Sequence, residues 1–302
     1  MRVANYFSNK DIRIEERPLP SIGAGELLIR VEASGICGTD VLEWYRRNKT
    51  PLVLGHEIAG IIEEVGAGLA LGFAERRASA RNVGAETEIC LKAGVDLPQY
   101  KKGQRVAASH HVPCGECVYC LRGHQTVCDT LRKTHFDPGG FSEYLRMPAI
   151  NVRLGGVYPL PDNVSYEEAT FTEPLACVLR GQKIAQMASG KSVLVLGCGV
   201  AGLLHVLLAK ARGASFVAVT DVVDYRLELA RGLGADLAIN AQREDVREKF
   251  FQYSRGKGAD LVVAASGAEV AQKQALQLVE KAGTVLFFAA ASEGSTIPLS
   301  IN

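Results

Sequence analysis

The sequence predicts an α/β protein of two domains, a β-rich first half followed by a doubly wound parallel sheet. Its 302 residues fit two domains, and 47% of them are hydrophobic, which is enough to fill two cores. Residues 1–155 contain strand-like segments separated by glycine-containing turns. From residue 156 to residue 302, short apolar runs alternate with longer amphipathic runs, the pattern of parallel strands connected by helices.

Five short apolar runs in the second half are predicted to form the strands of the parallel sheet. They are Val193–Leu196, Phe216–Thr220, Leu237–Ile239, Leu261–Val263 and Thr284–Phe288. Helices are predicted over Val200–Arg212 and Asp224–Leu233, between the first three strands. A preceding helix is predicted over Glu167–Ala188, and Pro174 is expected to break or kink it early.

The first half has its own strand signals and one segment that departs from them. Glu26–Ala33 and Ile58–Val65 are predicted strands, because apolar and β-branched residues fill them and glycine-rich turns flank them. Residues 69–94 have mixed charges and helix-like stretches but carry no recognisable chemistry. That segment is interpreted as an unusual insertion in the first domain.

Charge and composition exclude several classes of function. The formal net charge is +1, and a dedicated nucleic-acid or membrane-surface binder would carry a strong basic excess. The first residues, Met1–Phe7, lack the apolar core of a signal peptide. The most apolar stretch, Val193–Ala209, is interrupted by His205 and is short for a membrane span. We therefore expect a cytoplasmic protein whose eight cysteines are thiols or metal ligands.

A glycine-rich turn predicts a dinucleotide site. The run Gly197–Gly202 matches G-x-G-x-x-G, follows a predicted strand and opens a predicted helix, as in a Rossmann domain. Asp221 ends the next strand, where a carboxylate accepts hydrogen bonds from the adenosine ribose and repels a 2′-phosphate, which favours NAD. The alternative is a tight turn without a ligand. The candidate cofactor residues are Gly197, Gly199, Val200, Ala201, Gly202, Asp221 and Arg226.

Four cysteines lie close together within residues 110–130. Cys114, Cys117, Cys120 and Cys128 have the spacing C-x2-C-x2-C-x7-C. Four thiolates can surround one tetrahedral zinc and leave no open coordination position, so the zinc would be structural. An iron–sulfur cluster and a zinc-ribbon nucleic-acid module are the rival interpretations. The neutral charge and the neighbouring dinucleotide motif favour structural zinc.

Three further pieces are each weak alone but form a pattern together. They are Gly35–Asp40 (GICGTD), Gly55–Glu57 (GHE) and Thr172–Leu175 (TEPL). With the four-cysteine lobe, the run Gly139–Tyr144 (GGFSEY) and the dinucleotide motif, they resemble the zinc-containing medium-chain alcohol dehydrogenases. The branch that they resemble contains sorbitol (polyol) and threonine dehydrogenases. The matching motifs occur in the same order along nearly the whole chain.

The resemblance implies a fold and a catalytic site. It implies a GroES-like β-barrel-type catalytic domain over residues 1–155 and a Rossmann NAD-binding domain over residues 156–302. It implies two zincs per chain, one catalytic and one structural, with NAD as the hydride carrier and a secondary alcohol, a polyol or 3-hydroxy amino acid, as substrate. The residues implied for the catalytic zinc and its chemistry are Cys37, His56, Glu57, Glu173 and, as the hydroxyl that passes on the substrate proton, Thr39.

Two departures from the family motivate an alternative. Leu42 stands where many relatives carry a relay histidine, and relatives normally continue beyond residue 302. A homo-oligomer, dimer or tetramer, is the family expectation, and the missing region supplies much of that contact. The alternative is therefore a truncated, zinc-stabilised NAD-binding paralogue with impaired catalysis.

Overall fold

The computed structural model describes residues 1–69 and 99–298, and the chain divides into two compact units. They are Met1–Glu173 and Pro174–Asn302. The unusual segment at residues 69–94 lies outside the described residues, except for Leu69, which is buried in the core of the first unit. No helix within the described ranges is long and apolar enough to cross a membrane.

The first unit consists mainly of antiparallel strands with short helices. Its strands are β1 (Arg2–Ser8), β2 (Asp11–Glu16), β3 (Leu27–Gly35), β4 (Leu52–Val53), β5 (Glu57–Val65), β6 (Arg105–Ser109), β7 (Tyr144–Met147) and β8 (Val157–Pro159). Its helices are α1 (Glu43–Arg46), α2 (Val118–Leu121), α3 (Asp129–Lys133), α4 (Ala149–Arg153) and α5 (Tyr166–Thr170). The strands form a five-stranded sheet, in the order β7-β3-β5-β6-β8, and a three-stranded sheet, in the order β2-β1-β4.

The core of the first unit is built from alternate residues of its central strands. Leu27 and Ile29 on β3 face the same side as Ile58 and Ile62 on β5, and all four side chains are fully or almost fully buried. The unit extends beyond residue 155 because α5 packs on β3 and β5. Ala169 of α5 brings its methyl group into a small buried cluster on that face.

The second unit is a parallel sheet with connecting helices. Its strands are β9 (Ser192–Leu196), β10 (Phe216–Asp221), β11 (Leu237–Asn240), β12 (Ala259–Ala264) and β13 (Val279–Phe287), in the order β11-β10-β9-β12-β13. Its helices are α6 (Thr172–Ile184), which begins at the end of the first unit, α7 (Val200–Ala211), α8 (Asp224–Gly232), α9 (Val246–Tyr253) and α10 (Glu269–Leu278). All four strand pairings are parallel, which confirms the predicted fold class.

Helices cover both faces of this sheet. Val193 and Val195 of β9 pack in one cluster with Val206 of α7, and Leu194 and Leu196 pack in a second cluster with α9 and α10. A strand buried on both faces is a continuous apolar run rather than an alternating one. The run Val193–Leu196 could therefore be identified in the sequence.

The helix predicted over Glu167–Ala188 is interrupted, but three residues before Pro174. Helix α5 ends at Thr170, and α6 starts at Thr172. The side chains of Ser165 and Glu168 bond reciprocally to each other's backbone N–H, which makes α5 a short capped helix of its own. Pro174 lies in the first turn of α6, where a missing N–H is tolerated.

One partly buried carboxylate connects neighbouring strands of the second unit, and its loss is expected to destabilise the protein. The Oδ2 atom of Asp260 accepts hydrogen bonds from the Ser192 N–H at 2.8 Å and from the Ser192 hydroxyl at 2.7 Å. Burial raises the pKa of Asp260. The two hydrogen bonds from Ser192 and the charges of Lys191 and Lys257 lower it more strongly, so the net shift is downward. The carboxylate therefore contributes stability above its unfolded-state pKa of about 3.9, and this is lost as the pH falls through the folded-state value.

We expect Asp260→Asn to lower the free energy of unfolding at pH 7 by about 1–3 kcal/mol, the usual contribution of hydrogen bonds to a charged group. The difference in the free energy of unfolding between Asp260→Asn and wild type should become smaller below about pH 4. Urea unfolding followed by circular dichroism at pH 7 and at pH 4 or below measures both, with the exposed Glu228→Gln as the control variant. Equal midpoints for wild type and Asp260→Asn at pH 7 would refute this assignment.

Candidate active site and metal centres

Pairing of β3 with β5 brings two distant sequence segments together. Gly35, the last residue of β3, pairs with Glu57, the first residue of β5. Cys37 lies two residues after Gly35 and caps a 3-10 turn, Gly38–Val41, while His56 directly precedes β5. A side chain at position 35 would clash with Glu57, because a Cβ there would lie 2.2 Å from the Glu57 Oε2 atom.

The side chains of Cys37, His56 and Glu57 converge. One potential ligand atom from each lies within 4.8 Å of the other two. His56 and Glu57 are buried, whereas Cys37 is partly accessible. A thiolate, an imidazole and a carboxylate are all ligands that zinc accepts, and three protein ligands leave a coordination position open. The donor set therefore fits a catalytic zinc.

A buried carboxylate orients the imidazole. Asp40 is only 3% exposed, and its Oδ1 atom lies 3.5 Å from the Nδ1 atom of His56. With Nδ1 facing Asp40, the Nε2 atom of His56 is left for a metal. The Oδ2 atom of Asp40 accepts a hydrogen bond from the Cys37 N–H at 3.0 Å, so the same side chain also fixes the thiol segment.

The charges around His56 and Glu57 favour a bound cation. Burial lowers the pKa of His56, but Asp40 and Cys37 raise it, and the result is about 10. Burial raises the pKa of Glu57, and the charge of Glu173 raises it further. The anionic groups thus hold a proton on His56 in the absence of metal, and a metal ion would displace that proton.

Glu173 and Thr39 occupy different places around this set. Glu173 is close enough for its charge to act on Glu57, but it lies outside the group whose ligand atoms converge among the described residues. The Thr39 hydroxyl donates to the Cys37 Sγ atom at 3.3 Å. Its oxygen is therefore beside the proposed metal position, as the resemblance implies for a proton-passing hydroxyl.

The four lobe cysteines form a second convergent set. Their Sγ atoms all lie within 4.8 Å of one another, with Cys114 at 3.6 Å from Cys128 and at 3.9 Å from Cys120. Sulfur atoms around a tetrahedral zinc, each bonded at about 2.3 Å, are about 3.8 Å apart. The geometry fits a zinc with four thiolate ligands.

The local hydrogen bonds favour ionisation of one thiol in the lobe. Burial raises the pKa of Cys120 to about 12. Burial also opposes ionisation of Cys128, but N–H groups of Cys114 and Leu131 donate to its sulfur and its pKa falls to about 6. Cys128 therefore ionises more readily than Cys120, and a bound metal would favour the thiolate form of all its ligands.

The dinucleotide turn has the predicted form. Helix α7 starts at Val200, directly after Gly199, and a Cβ on Gly202 would lie 1.9 Å from the Gly197 carbonyl oxygen. A Cβ on Gly199, by contrast, would meet nothing within 4 Å. The absence of a side chain at Gly202 allows the helix to pack closely on the strand. The open space at Gly199 lies at the helix N-terminus, where a pyrophosphate binds in such turns.

Asp221 ends β10, and its carboxylate is held against the turn. Its Oδ2 atom accepts from the Cys198 N–H at 2.7 Å, and its Oδ1 atom accepts from the N–H groups of Val222 and Val223 at 2.8 and 2.9 Å. The half-exposed Arg226 lies 3.8 Å away. The carboxylate is therefore fixed beside Gly197–Gly202, where the ribose hydroxyls of a dinucleotide would donate to it.

Comparison with known proteins identifies the family. The profile of the alcohol dehydrogenase GroES-like domain matches residues 23–162, and that of the zinc-binding dehydrogenase domain matches residues 200–301. The chain is 31% identical to sorbitol dehydrogenase of Bacillus subtilis, over 100% of this chain and 78% of that protein. This chain belongs to the zinc-dependent medium-chain alcohol dehydrogenases. It is also 36% identical to L-threonine 3-dehydrogenase of Bacillus velezensis, over 78% of this chain but only 60% of that relative.

Solved structures agree with this membership. Alcohol dehydrogenase of Thermus sp. ATN1 superimposes with a TM-score of 0.78 at 30% identity, covering 99% of this chain and 81% of the Thermus chain. A zinc-binding dehydrogenase of Sinorhizobium meliloti bound to NADP superimposes with a TM-score of 0.79 at 26% identity, covering 99% of this chain and 79% of that one. These matches confirm the predicted family and the predicted GroES-like plus Rossmann fold.

Several residues around the site were not assigned roles from the sequence. Asp40 and Arg46 form a buried ion pair at 3.2 Å, and no spacing rule links them to a metal site. The centroid of the His110 ring lies 4.7 Å from that of the His56 ring. The His110 ring also contacts the rings of His111 and His135. Burial and the neighbouring positive groups lower the pKa of His110, so it is neutral at physiological pH. The adjacent histidines in the sequence were the available signal, but only the fold shows that they meet His56.

Proposed function

We propose that this chain is a zinc- and NAD-dependent oxidoreductase that transfers a hydride between a secondary alcohol and NAD. The observation that carries the proposal is the convergence of Cys37, His56 and Glu57 at the paired ends of β3 and β5. Polyols and 3-hydroxy amino acids are the substrate classes that we favour, because the relatives include a sorbitol and a threonine dehydrogenase.

We propose two zincs per chain. Cys37 and His56 would hold the catalytic ion, Glu57 would act as its exchangeable acidic ligand, and Glu173 would bind directly or through water. The structural ion would be held by Cys114, Cys117, Cys120 and Cys128. The Sγ separations in the four-cysteine lobe support the structural site. The mixed donor set of Cys37, His56 and Glu57 supports the catalytic site.

The chemistry follows from these positions. A zinc bound at Cys37 would act as a Lewis acid on the substrate oxygen, and NAD would supply the hydride acceptor. The Thr39 hydroxyl would accept the proton of the substrate hydroxyl and pass on its own. Asp40 would keep the His56 imidazole in the orientation and tautomer that a metal needs. Since Leu42 has no titratable group, the proton would leave Thr39 through water.

NAD is proposed over NADP. The Gly197–Gly202 turn would hold the pyrophosphate, Asp221 would accept hydrogen bonds from the ribose hydroxyls, and Arg226 would flank the adenine. A carboxylate held by three backbone N–H groups cannot turn away from a 2′-phosphate without losing them. The Sinorhizobium relative binds NADP, so this preference is a property to test for this chain.

We expect Asp221→Asn to lower kcat/KM for NAD by about 10- to 100-fold, the equivalent of one hydrogen bond to a charged group. The value for NADP should fall less or rise, because the repelling charge is gone. Steady-state kinetics with both cofactors measure the ratio, and Asp224→Asn, an exposed acid on α8, is the control. An unchanged NAD-to-NADP ratio would contradict the proposed role.

The decisive test combines zinc content with turnover. Metal-replete protein is analysed for zinc per chain and then assayed with NAD against sorbitol, L-threonine and a simple secondary alcohol. Two zincs with NAD reduction support the proposal. One zinc and no turnover would support the zinc-stabilised NAD-binding paralogue, which the convergent ligand set disfavours. Salt-sensitive nucleic-acid binding would support the zinc-ribbon alternative, which the family match over residues 23–162 disfavours.

Assembly and location are also proposals. We propose a homo-oligomer, a dimer or tetramer, because the chain resembles this family, and light scattering after size exclusion measures it. The small-molecule substrate requires no nucleic acid or membrane partner. A cytoplasmic location suits four zinc-binding thiolates, which a reducing compartment preserves.

A further inference from the structure

Arg46 is a buried charge beside the candidate catalytic site. The residue is only 9% exposed. Arginine is rarely buried unless another group pairs with its charge. It ends the short helix α1, one turn after Leu42. A buried guanidinium is costly to desolvate, so its contacts indicate what it does there.

Its guanidinium donates three hydrogen bonds to the loop that carries Cys37. The Nε atom donates to the Thr39 carbonyl oxygen at 3.2 Å, and Nη2 donates to the Thr39 hydroxyl oxygen at 3.4 Å and to Asp40 Oδ1 at 3.2 Å. The Thr39 hydroxyl in turn donates to Cys37 Sγ. A planar guanidinium therefore connects the proton-passing hydroxyl to the carboxylate that orients His56.

The charges at this site explain why a cation is needed. Cys37 as a metal-bound thiolate, Glu57, Glu173 and Asp40 would contribute four negative charges around one divalent ion. Without Arg46, the metal and these groups together would be anionic, and a partly buried anionic site opposes further negative charge on a substrate oxygen. The guanidinium offsets part of this negative charge.

We propose that Arg46 is a positioning residue of the reaction, which orients the Thr39 hydroxyl and stabilises the negative charge that develops on the substrate oxygen. This inference rests on the proposed alcohol oxidation. It gives the site a fixed electrostatic element close to the position where relatives carry a titratable relay group and this chain has Leu42. Charged and titratable groups around Arg46 are Asp40, Glu43, Tyr45, Tyr6, His56, His110 and His135.

Two variants separate charge from shape. Arg46→Gln removes the charge but keeps hydrogen-bonding groups, and Arg46→Lys keeps the charge but loses the planar fork. The neighbouring exposed arginine gives the matched control, Arg47→Gln. Each variant is checked by circular dichroism, so that a folding failure is recognised before the site is measured.

The first measurement does not require turnover. Zinc release from the loaded protein is titrated with a chelator, and Cys37→Ser identifies which release step belongs to the lobe. We expect Arg46→Gln to hold the catalytic zinc at least as tightly as wild type, because the set around the ion is more anionic. A drop in zinc affinity of tenfold or more would overturn the proposal, since it would mean that Arg46 only maintains the shape of the site.

The second measurement is the pH profile of alcohol oxidation. We expect the rise in kcat with pH to move up by about one unit in Arg46→Gln, as expected for loss of one nearby opposite charge, and to remain near the wild-type position in Arg46→Lys. An unchanged midpoint in Arg46→Gln would overturn the proposal. If wild type binds zinc but oxidises no alcohol, the proposed function fails, while the zinc titration still decides the electrostatic contribution of Arg46.

Discussion

Replacing Cys37 by serine is expected to lower the zinc content by one ion per chain and to lower kcat by about 1000-fold or more. Cys37 supplies the only thiolate of the set with His56 and Glu57, and loss of the metal removes several kcal/mol of transition-state stabilisation. The four-cysteine lobe should keep its zinc, because it shares no ligand with this set. Elemental analysis and NAD-reduction assays on the same preparation test both parts.

The matched control for this variant is Cys177→Ser. Cys177 is exposed on α6 and is not a member of either convergent ligand set among the described residues, so zinc and activity should stay at the wild-type level. The assignment of Cys37 is wrong if Cys37→Ser retains the full zinc content and activity. Loss of both zincs instead would mean that the serine disrupts the whole first unit.

Replacing Cys128 by serine is expected to remove the other zinc and to destabilise the first unit. Structural zinc sites bind with about 10–16 kcal/mol, so even partial loss of this energy should lower the melting temperature by about 10 °C or more. The change is severe at Cys128 because its sulfur is buried and accepts the Cys114 N–H at 3.4 Å. Differential scanning calorimetry with zinc analysis measures the effect.

Measuring activity in Cys128→Ser shows whether the catalytic site still works when the lobe has lost its zinc. At a temperature where Cys128→Ser remains folded, the catalytic zinc and the kcat per folded molecule should persist, since Cys37, His56 and Glu57 are unchanged. A melting temperature equal to that of wild type, with one zinc lost, would show that the lobe metal has no role in stability. Retention of both zincs would show that three thiolates suffice.

Local patterns are enough to predict the five strands of the second unit and the two helices between the first three strands. Strands buried on both faces form continuous apolar runs, so Val193–Leu196 and its neighbours were identified directly, and Asp221 ends its strand as expected. The end of α5 differs from the expected position, because the break falls at Phe171 and not at Pro174. The capping pair Ser165 and Glu168 is visible in the sequence and would have placed the short helix correctly.

The candidate site could be predicted only as far as its motifs reach. The lobe cysteines are close in sequence, so their spacing alone indicated a metal. Cys37 and His56 are brought together by the β3–β5 pairing, and only the family resemblance connected them beforehand. The roles of Asp40 and Arg46 depend on burial and on side-chain direction, which no spacing pattern encodes.

The β3–β5 pairing has a consequence for how the protein matures. Because Gly35 pairs with Glu57, a slip of one residue in that ladder would turn Glu57 to the opposite face and separate the ligand atoms. The ladder contains two register irregularities, between Leu28 and Ile29 and between Val31 and Ala33. A zinc bound by Cys37, His56 and Glu57 would therefore be retained only by chains whose strands have paired in this register.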